Sequence, residues 1–482
     1  MNMKFTKLVG TVGPSSRNYD MIKDFILSGI NVIRINFSHG TFEEHKKTIE
    51  FVRRAAEEVD EPVAIFQDLQ GPKIRLGNIK DDAAEVQAGE TFIITTENCT
   101  GNAKKASIDY PFLHEEVSPG NSILIDDGLI SLRVKSINGK EIQTTVENSG
   151  IIKSRKGVNL PNISLKHIDS FTKKDKKDLD FAFKYDLEYI ALSFVRTAQD
   201  IRNLRSYMLK TYGKTIPIIA KIEKPQALDD IDNIIETADS IMVARGDLGV
   251  ETSPQQVPII QKNIIRTCNL KGKPVITATQ MLESMINNPR PTRAEAADVA
   301  NAILDGTSAI MLSGETAAGS YPREAVHMMY HIAYETEQSL HFKRIVTNQK
   351  LTLEEFTEGR KKQAAEAVGM GALELANQVQ ARYIACFTHS GGTARLISKH
   401  RPHMPIVALS PIAATVRRLA LSWGVIPLQL AEVDNIDDLF TGAPKLLKSR
   451  QLIAQGDCIV ITAGVPVGTP GKTNMIKVTE ID

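Results

Sequence analysis

The chain has 482 residues, 58 Lys and Arg against 57 Asp and Glu, and a formal net charge of +1. Its 42% hydrophobic and 24% charged residues suit a globular protein with large cores, and the near-neutral balance excludes the overall basic field that nucleic acid or a membrane surface would require. Cys99, Cys268, Cys386 and Cys458 lie far apart with no Cys-x-x-Cys pair, so neither a zinc site nor a disulfide framework is expected. In chain order, Met1-Asn-Met-Lys-Phe-Thr-Lys leads directly into an apolar run without a signal-peptide core, and no later stretch reaches ~18 uninterrupted apolar residues. A soluble cytoplasmic chain of about three domains is the expectation.

The first 320 residues repeat one grammar, a short apolar strand that ends in polar or Gly residues and is followed by amphipathic sequence. The runs are Lys7–Gly13, Asn31–Phe37, Ala64–Asp68, Tyr189–Phe194, Ile216–Glu223, Ser240–Asp247, Pro274–Gln280 and Ser308–Glu315. Strands buried on both faces read as continuous Val/Ile/Leu runs, and eight such units predict a (β/α)8 TIM barrel. The polar residues at their ends, Ser38, Asp68, Glu223, Asp247, Thr279 and Glu315, would then converge on the face where barrel enzymes keep their active sites. Between Gly71 and about His167 the grammar changes to short alternating strands with turns at Asp127-Gly128 and Asn138-Gly139, predicting a small β-barrel lid inserted after the third barrel strand. A polar connector, Gln349–Lys362, leads to a small-residue helix over Ala364–Ala381 and strands at Tyr383–Thr388, Ile406–Leu409, Val425–Leu430 and Cys458–Thr462. This last segment predicts an open α/β sheet. The expected domains are a catalytic barrel over 1–70 and 168–345, a lid over 71–167, and a C-terminal α/β unit over 346–482.

The densest chemical signal is Ile216-Pro-Ile-Ile-Ala-Lys-Ile-Glu-Lys-Pro-Gln-Ala-Leu, where Lys221 and Glu223, two apart at a strand end, share one side. Ile241-Met-Val-Ala-Arg-Gly-Asp-Leu-Gly places Asp247 at the end of the next strand. Two carboxylates from neighbouring strands, with Gly246 allowing close approach, suit a hard divalent cation such as Mg2+ that leaves coordination sites to water and substrate oxygens. A structural salt bridge is the alternative for this trio. Arg34, Asn36, Ser38 and His39 in Asn31-Val-Ile-Arg-Ile-Asn-Phe-Ser-His-Gly, Lys73 and Arg75 after Asp68, and Thr277 and Thr279 on the seventh run add cations and hydroxyls. Such a set favours an anion, with phosphate foremost.

The segments Asn31–Gly40, Asp68–Arg75, Ile216–Leu228, Met242–Glu251, Ile276–Met285 and Asn288–Gly319 resemble those of the pyruvate kinase family, in order and over essentially the whole chain. The resemblance implies transfer of a phosphoryl group from phosphoenolpyruvate to ADP, giving pyruvate and ATP, with Mg2+ (or Mn2+) required. Position by position it implies that Glu223 and Asp247 hold the divalent metal and that Lys221 stabilises the phosphoryl group in flight. Thr279, with Gly246 beside it, contacts the substrate carboxylate and helps relay a proton, and Arg34 contacts the substrate phosphate. Asn36, Phe37, Ser38, His39, Arg75 and Lys156 lie on the nucleotide side, and Asp127 approaches from the lid. Loose phosphoryl-transfer transition states depend on positioning and cations, and a lid keeps water out.

One departure stands out. Many family members carry Asp-Thr-Lys-Gly-Pro-Glu-Ile-Arg and bind K+ through Asn, Ser, Asp and a Thr carbonyl. Here the motif is Asp68-Leu-Gln-Gly-Pro-Lys-Ile-Arg, so Asn36, Ser38, Asp68 and Leu69 mark the monovalent-cation position and Lys73 is expected to supply its charge, as in the potassium-independent branch. In the C-terminal unit, Thr388, Ser390, Gly391, Gly392 and Thr393 predict a phosphate nest at a strand–helix turn. The resemblance implies a sugar-phosphate or nucleotide effector there and a homotetrameric assembly. The loop Gly464-Val-Pro-Val-Gly-Thr-Pro-Gly-Lys-Thr is expected to face the nest, but it fails as a Walker motif because Pro466 stands where its first Gly must be. The rival readings are a metal-dependent pyruvate-enolate aldolase and a catalytically silent sugar-phosphate sensor.

Overall fold

Strands that are apolar at every position must bury both faces, and eight of them do so here. The computed structural model describes residues 4–339, 342, 364–465 and 473–482, apart from 162, 164 and 434. The expected connector over 349–362 and most of the loop 464–473 lie outside the described residues. A closed parallel barrel is formed by β1 (Lys7–Thr11), β2 (Ile30–Asn36), β3 (Ala64–Asp68) and, after an insertion, β12 (Tyr189–Leu192), β13 (Ile218–Ile222), β14 (Ser240–Ala244), β15 (Val275–Ala278) and β16 (Ala309–Leu312).

Within each strand, alternate residues face opposite ways. One phase, with Val32, Phe66, Tyr189, Ala191, Ile219 and Met242, fills the barrel interior. The other packs outward in one large core with the surrounding helices. Ala420 and Leu421 from the C-terminal unit join the interior cluster. The chain past residue 400 therefore contributes to the barrel's own core.

The insertion carries β4 (Ala83–Val86), β5 (Thr91–Thr95), β6 (Lys105–Ser107), β7 (Ser122–Ile125), β8 (Ile130–Asn138), β9 (Glu141–Val146), β10 (Gly150–Lys153) and β11 (Val158–Asn159). They form a six-stranded sheet, β11-β7-β8-β9-β5-β6, and a β10-β4 pair around a separate apolar core. The pairing is antiparallel except β5 with β6, which run parallel because an excursion between them brings the chain back in the same direction. The β7–β8 turn needs left-handed backbone at Asp126, Asp127 and Gly128 (φ 54°, 54° and 87°), conformations that Asp and Gly accept more readily than most residues.

The C-terminal unit is a five-stranded sheet ordered β19 (Val425–Gln429), β18 (Ile406–Ser410), β17 (Tyr383–Phe387), β20 (Cys458–Ala463), β21 (Met475–Glu480). The antiparallel edge strand β21 goes beyond the four strands expected from sequence. Trp423, buried at 3% exposure, stacks on Phe5 at 4.8 Å. All four cysteines are free. Among the described residues no helix is long and apolar enough to cross a membrane.

Candidate functional site

The inward-facing phase that fills the barrel with Ile219 carries on to Lys221 and then Glu223, so two charged side chains stand at the C-terminal mouth. Lys221 Nζ lies 2.9 Å from Glu223 Oε1, 3.1 Å from Asp68 Oδ1 and 2.7 Å from Ser193 Oγ. These three acceptors match the three protons of an ammonium group. Asp68 is also gripped by Arg34, whose Nε and NH2 each reach Oδ2 at 2.7 Å, and Arg34 NH1 donates to Thr11 Oγ1 at 3.3 Å. Glu223 accepts the Phe194 amide through Oε2 at 2.7 Å.

Electrostatics follow from this packing. Burial disfavours the Lys221 cation, but the Asp68 and Glu223 carboxylates outweigh it and raise its pKa. Asp68 is equally buried, yet Lys221 and Arg34 hold it below the usual carboxylate range. Glu223 is pushed up by burial, with the neighbouring charge of Asp247 adding to the effect. Lys221 is thus a permanent cation, suited to stabilising negative charge and unsuited to acting as a base.

Asp247 departs from the sequence expectation. β14 ends at Ala244, and Asp247 lies in the first turn of the helix Arg245–Glu251. Arg245 is tied to the next loop by its Nε and NH2, which donate to Thr279 O at 3.2 and 2.9 Å, and by an ion pair with Asp298. Thr279 follows the end of β15 at φ 68°, an uncommon and strained conformation for a β-branched residue. Its Oγ1 accepts the Gly246 amide at 2.7 Å and donates to Ala278 O at 2.6 Å. Thr277 and Glu315 do not reach the mouth. Thr277 is fully buried against Thr307, because it belongs to the outward phase of β15. Glu315 is buried beneath its loop, accepting the amides of Leu282 and Ser313.

Lys73 crosses from the insertion toward the barrel, with Nζ 3.9 Å from Asp247 Oδ1 and its chain packed beside Gly157. It does not lie against Asn36, Ser38 and Asp68. Asn36 Oδ1 accepts the Ser38 amide at 3.0 Å, and Leu69, 1% exposed, has its carbonyl occupied by Ser193 Oγ at 2.8 Å. His39 is exposed, whereas the Phe37 ring is buried between His45 and Phe181, so it cannot face a nucleotide. Arg75 and Lys156 are not brought to the carboxylates. Arg75 NH1 donates to Arg155 O, and Lys156 pairs with Asp126 at 2.9 Å, both within the insertion. Asp127 is exposed at the β7–β8 turn, whose Gly128 stands beside Val250 of the Asp247 helix.

Sequence reasoning missed Ser193, Lys224 and Glu251. Ser193 continues the inward phase of Tyr189 and Ala191, a signal available in the pattern. Glu251 is buried and accepts Asn159 Nδ2 from the insertion at 2.8 Å and Lys224 Nζ from the barrel at 2.5 Å. This polar joint fastens the insertion above the helix that carries Asp247. A cavity of about 280 Å³ opens behind it, between the insertion at Pro72 and Leu160 and the barrel at Phe194 and Gln226.

For a divalent metal, Glu223 and Asp247 form a pair of hard oxygen donors, and among the described residues no cluster of three or more His, Cys, Asp or Glu is present. Such a pair fits Mg2+, which commonly takes one or two carboxylates and leaves other positions to water and phosphate oxygens.

In the C-terminal unit, the turn after β17 places Gly391 at φ 81°, with its amide donating to Thr388 Oγ1 at 2.9 Å. Arg395 NH2 donates to the Ser390 carbonyl, and Thr393 bonds Thr473 through their hydroxyls at 2.6 Å. Gly392 opens the helix Gly392–Ser398.

Comparison with known proteins agrees with this architecture. A family model described as pyruvate kinase, barrel domain, matches residues 3–326, and one described as pyruvate kinase, alpha/beta domain, matches residues 366–479. The pyruvate kinase of Clostridium acetobutylicum is 44% identical over 481 residues, covering 100% of both chains. That of Geobacillus stearothermophilus is 45% identical, covering 98% of this chain and 80% of the relative. A solved pyruvate kinase structure from Cryptosporidium parvum superposes with a TM-score of 0.92 at 37% identity, covering 99% of this chain and 96% of that one.

Proposed function

The chain belongs to the pyruvate kinase family, and from that membership we propose how its own residues move the phosphoryl group of phosphoenolpyruvate to ADP, giving pyruvate and ATP. The observation that carries the reading is the Lys221 ammonium, held at the barrel mouth by Asp68, Glu223 and Ser193. Its carboxylate neighbours keep it charged, so it offers a fixed cation to the three peripheral oxygens of the transferring group, where the loose transition state keeps its charge. Arg34, steered by Asp68, adds a second cation for the substrate phosphate.

Glu223 and Asp247 would hold Mg2+, which when bound supplies Lewis-acid stabilisation of the phosphoryl oxygens. Thr279, held between Gly246 and Ala278, presents its hydroxyl for the substrate carboxylate and for delivery of a proton to the enolate that departure of the phosphoryl group leaves behind. Asn36, Ser38, His39, Arg75, Lys156 and the backbone at Phe37 are proposed for the nucleotide side. Arg75, Lys156 and Asp127 belong to the insertion and are proposed to approach a bound nucleotide as it closes over the mouth. That closure would also exclude water. Lys73 is proposed to supply the positive charge that a potassium ion gives in other family members, from its position beside Asp247. The turn Thr388–Thr393 is proposed to bind a sugar-phosphate or nucleotide effector, with Arg395 as an added cation, in a homotetrameric enzyme.

A lactate-dehydrogenase-coupled assay with phosphoenolpyruvate, ADP and Mg2+ tests the reading. Pyruvate should form only with ADP and metal, and Lys221→Met should lower kcat by at least ~10³-fold while the protein stays folded. Full turnover by Lys221→Met would remove the assigned role. Pyruvate released without ADP would favour the aldolase, and silence with every effector would favour the sensor.

A further inference from the structure

Ser193 and Phe194 are the first two residues beyond β12, and both touch the transfer machinery. Ser193 is 2% exposed, and its Oγ accepts from Lys221 Nζ at 2.7 Å while donating to Leu69 O at 2.8 Å. The Phe194 amide donates to Glu223 Oε2 at 2.7 Å. Of the three acceptors around the Lys221 amine, Asp68 is shared with Arg34 and Glu223 is a proposed metal ligand. Ser193 is the one neutral acceptor of the three, and its hydroxyl, donating to Leu69 O at 2.8 Å with Asp68 Oδ1 a longer 3.4 Å away, ties the lysine to the adjacent backbone.

The other end of the same strand is anchored in a different part of the molecule. Glu188, immediately before β12 and 1% exposed, receives Arg53 NH2 on both oxygens at 2.8 and 2.9 Å and the Ile65 amide at 2.7 Å. Its Oε1 also takes Arg417 Nε at 2.6 Å, from the helix Ala413–Leu419 of the C-terminal unit. One residue on, Tyr189 donates its hydroxyl to the Arg418 carbonyl at 2.9 Å. That helix meets the turn after β17 as well, since Thr415 Oγ1 donates to His389 O at 2.7 Å. From Glu188 to Ser193 is five residues of extended chain, about 17 Å, flanked on both sides by β3 and β13. A paired, fully buried strand does not compress, so displacement at one end is passed to the other.

We propose that β12 is a lever by which the C-terminal unit positions the Lys221 amine, with Arg417 and Glu188 at its base and Ser193 as the positioning residue at its tip. Ser193 does not touch substrate. It acts by fixing where the lysine stands when the phosphoryl group arrives. Spatial continuity alone does not establish coupling between two sites, so the decisive measurement is an energetic one.

The test is a double-mutant cycle on the full chain, reading kcat and KM for phosphoenolpyruvate with Arg417→Met, Ser193→Ala and the pair. Misplacing a catalytic cation by a fraction of an ångström costs turnover more than binding, so Ser193→Ala should lower kcat about 30-fold with KM within about 3-fold. Arg417→Met, at the far end of the barrel, should lower kcat about 5-fold in the wild-type background and less than about 2-fold once Ser193 is gone. Arg417→Lys should recover at least half of the loss. Glu188 keeps Arg53 and the Ile65 amide in these variants, so the buried carboxylate is not orphaned. If Ser193→Ala does not fold, Ser193→Cys, which fills the same space with a weaker acceptor, takes its place in the cycle. Equal fold-losses for Arg417→Met in both backgrounds would overturn the proposal. So would a silent Arg417→Met, or a loss of kcat no larger than the loss of folded protein. The proposal rests on Lys221 serving the transfer, and the two failures are distinguishable. An active Lys221→Met refutes that premise, whereas an inactive Lys221→Met with an independent Arg417 refutes only the lever.

Discussion

Lys7 begins the first barrel strand at the end opposite the transfer site, 6% exposed, with Nζ donating to the Val425 carbonyl of the C-terminal unit at 2.7 Å. Burial takes its pKa from 10.5 down to about 8, against the opposing pull of Glu61 and Glu337. Lys4 beside it is lowered to about 7 by burial and by the charge of Lys7, with Glu337 and Glu61 again opposing. Between pH 8 and 10.5 the unfolded chain holds a proton on Lys7 that the native state has released, so stability must rise with pH across that window. The burial penalty is complete below pH 8 and is relieved as pH approaches 10.5. The displacement from 10.5 to about 8 corresponds to about 3 kcal/mol.

Lys7→Met keeps most of the side-chain volume and removes the titration. It also leaves the Val425 carbonyl without its donor, a pH-independent cost of about 1–3 kcal/mol. The unfolding free energy of wild type minus that of Lys7→Met should therefore grow by about 3 kcal/mol between pH 7 and pH 10.5, whatever its starting value. Lys4 adds a rise of its own in both proteins. Trp423 is the only tryptophan in the chain, and it reports from this junction, stacked on Phe5 at 4.8 Å with the Arg401 guanidinium 4.4 Å from its ring centroid. Urea unfolding followed by its emission at several pH values reads the junction directly. Parallel stability curves for the two proteins, or a difference that shrinks as pH rises, would refute the reasoning.

Two further outcomes follow from the mouth of the barrel. Thr279 at φ 68° should invert the usual order of substitutions, with Thr279→Gly more stable than Thr279→Ala by about 1 kcal/mol in thermal or denaturant melts, while both lose at least tenfold in kcat. If Lys73 supplies the charge of a monovalent cation, wild-type turnover in potassium-free Tris buffer should stay within about twofold of that in KCl, whereas Lys73→Glu should gain at least tenfold from added K+. A many-fold potassium activation of the wild type would remove that role.

The parts of this molecule that were legible in its sequence are those whose causes are local. Burial on both faces demands continuous apolar strands, so the eight barrel runs and the change of pattern in the insertion could be seen directly. The two-residue period placed Lys221 and Glu223 on one side, and the same period would have offered Ser193 after Tyr189 and Ala191. The strand ends were harder to read, because a polar residue after an apolar run can sit on the strand, in a turn or in a helix. Asp247 lies in a helix, and Glu315 is spent on holding loop amides. The cations of the insertion were hard to place for a related reason. The resemblance put Arg75 and Lys156 on the nucleotide side, whereas in this structure each has a partner within the insertion. Edge strand β21 mixes apolar and polar residues over a half-exposed hexapeptide, so its pattern is weak, and only pairing with β20 makes it a strand.

The contacts that tie the units together were beyond local reading altogether. Arg53 and Arg417 are unremarkable charged residues on two separate helices and Glu188 lies in the short connection before β12, and nothing in their neighbourhoods marks them as a cluster. Burying one carboxylate between two guanidiniums is acceptable only because the fold supplies all three, with the Ile65 amide completing the set. Hydrophobic packing alone could have joined the C-terminal helix to the barrel, as Ala420 and Leu421 do inside it. A charged joint adds direction, because its geometry is lost when either side shifts by an ångström or so. Placed at the base of the strand whose other end holds Lys221 and Glu223, it would make the proposed catalytic cation sensitive to where the C-terminal unit sits. Apolar contact between the same surfaces would have tolerated that shift.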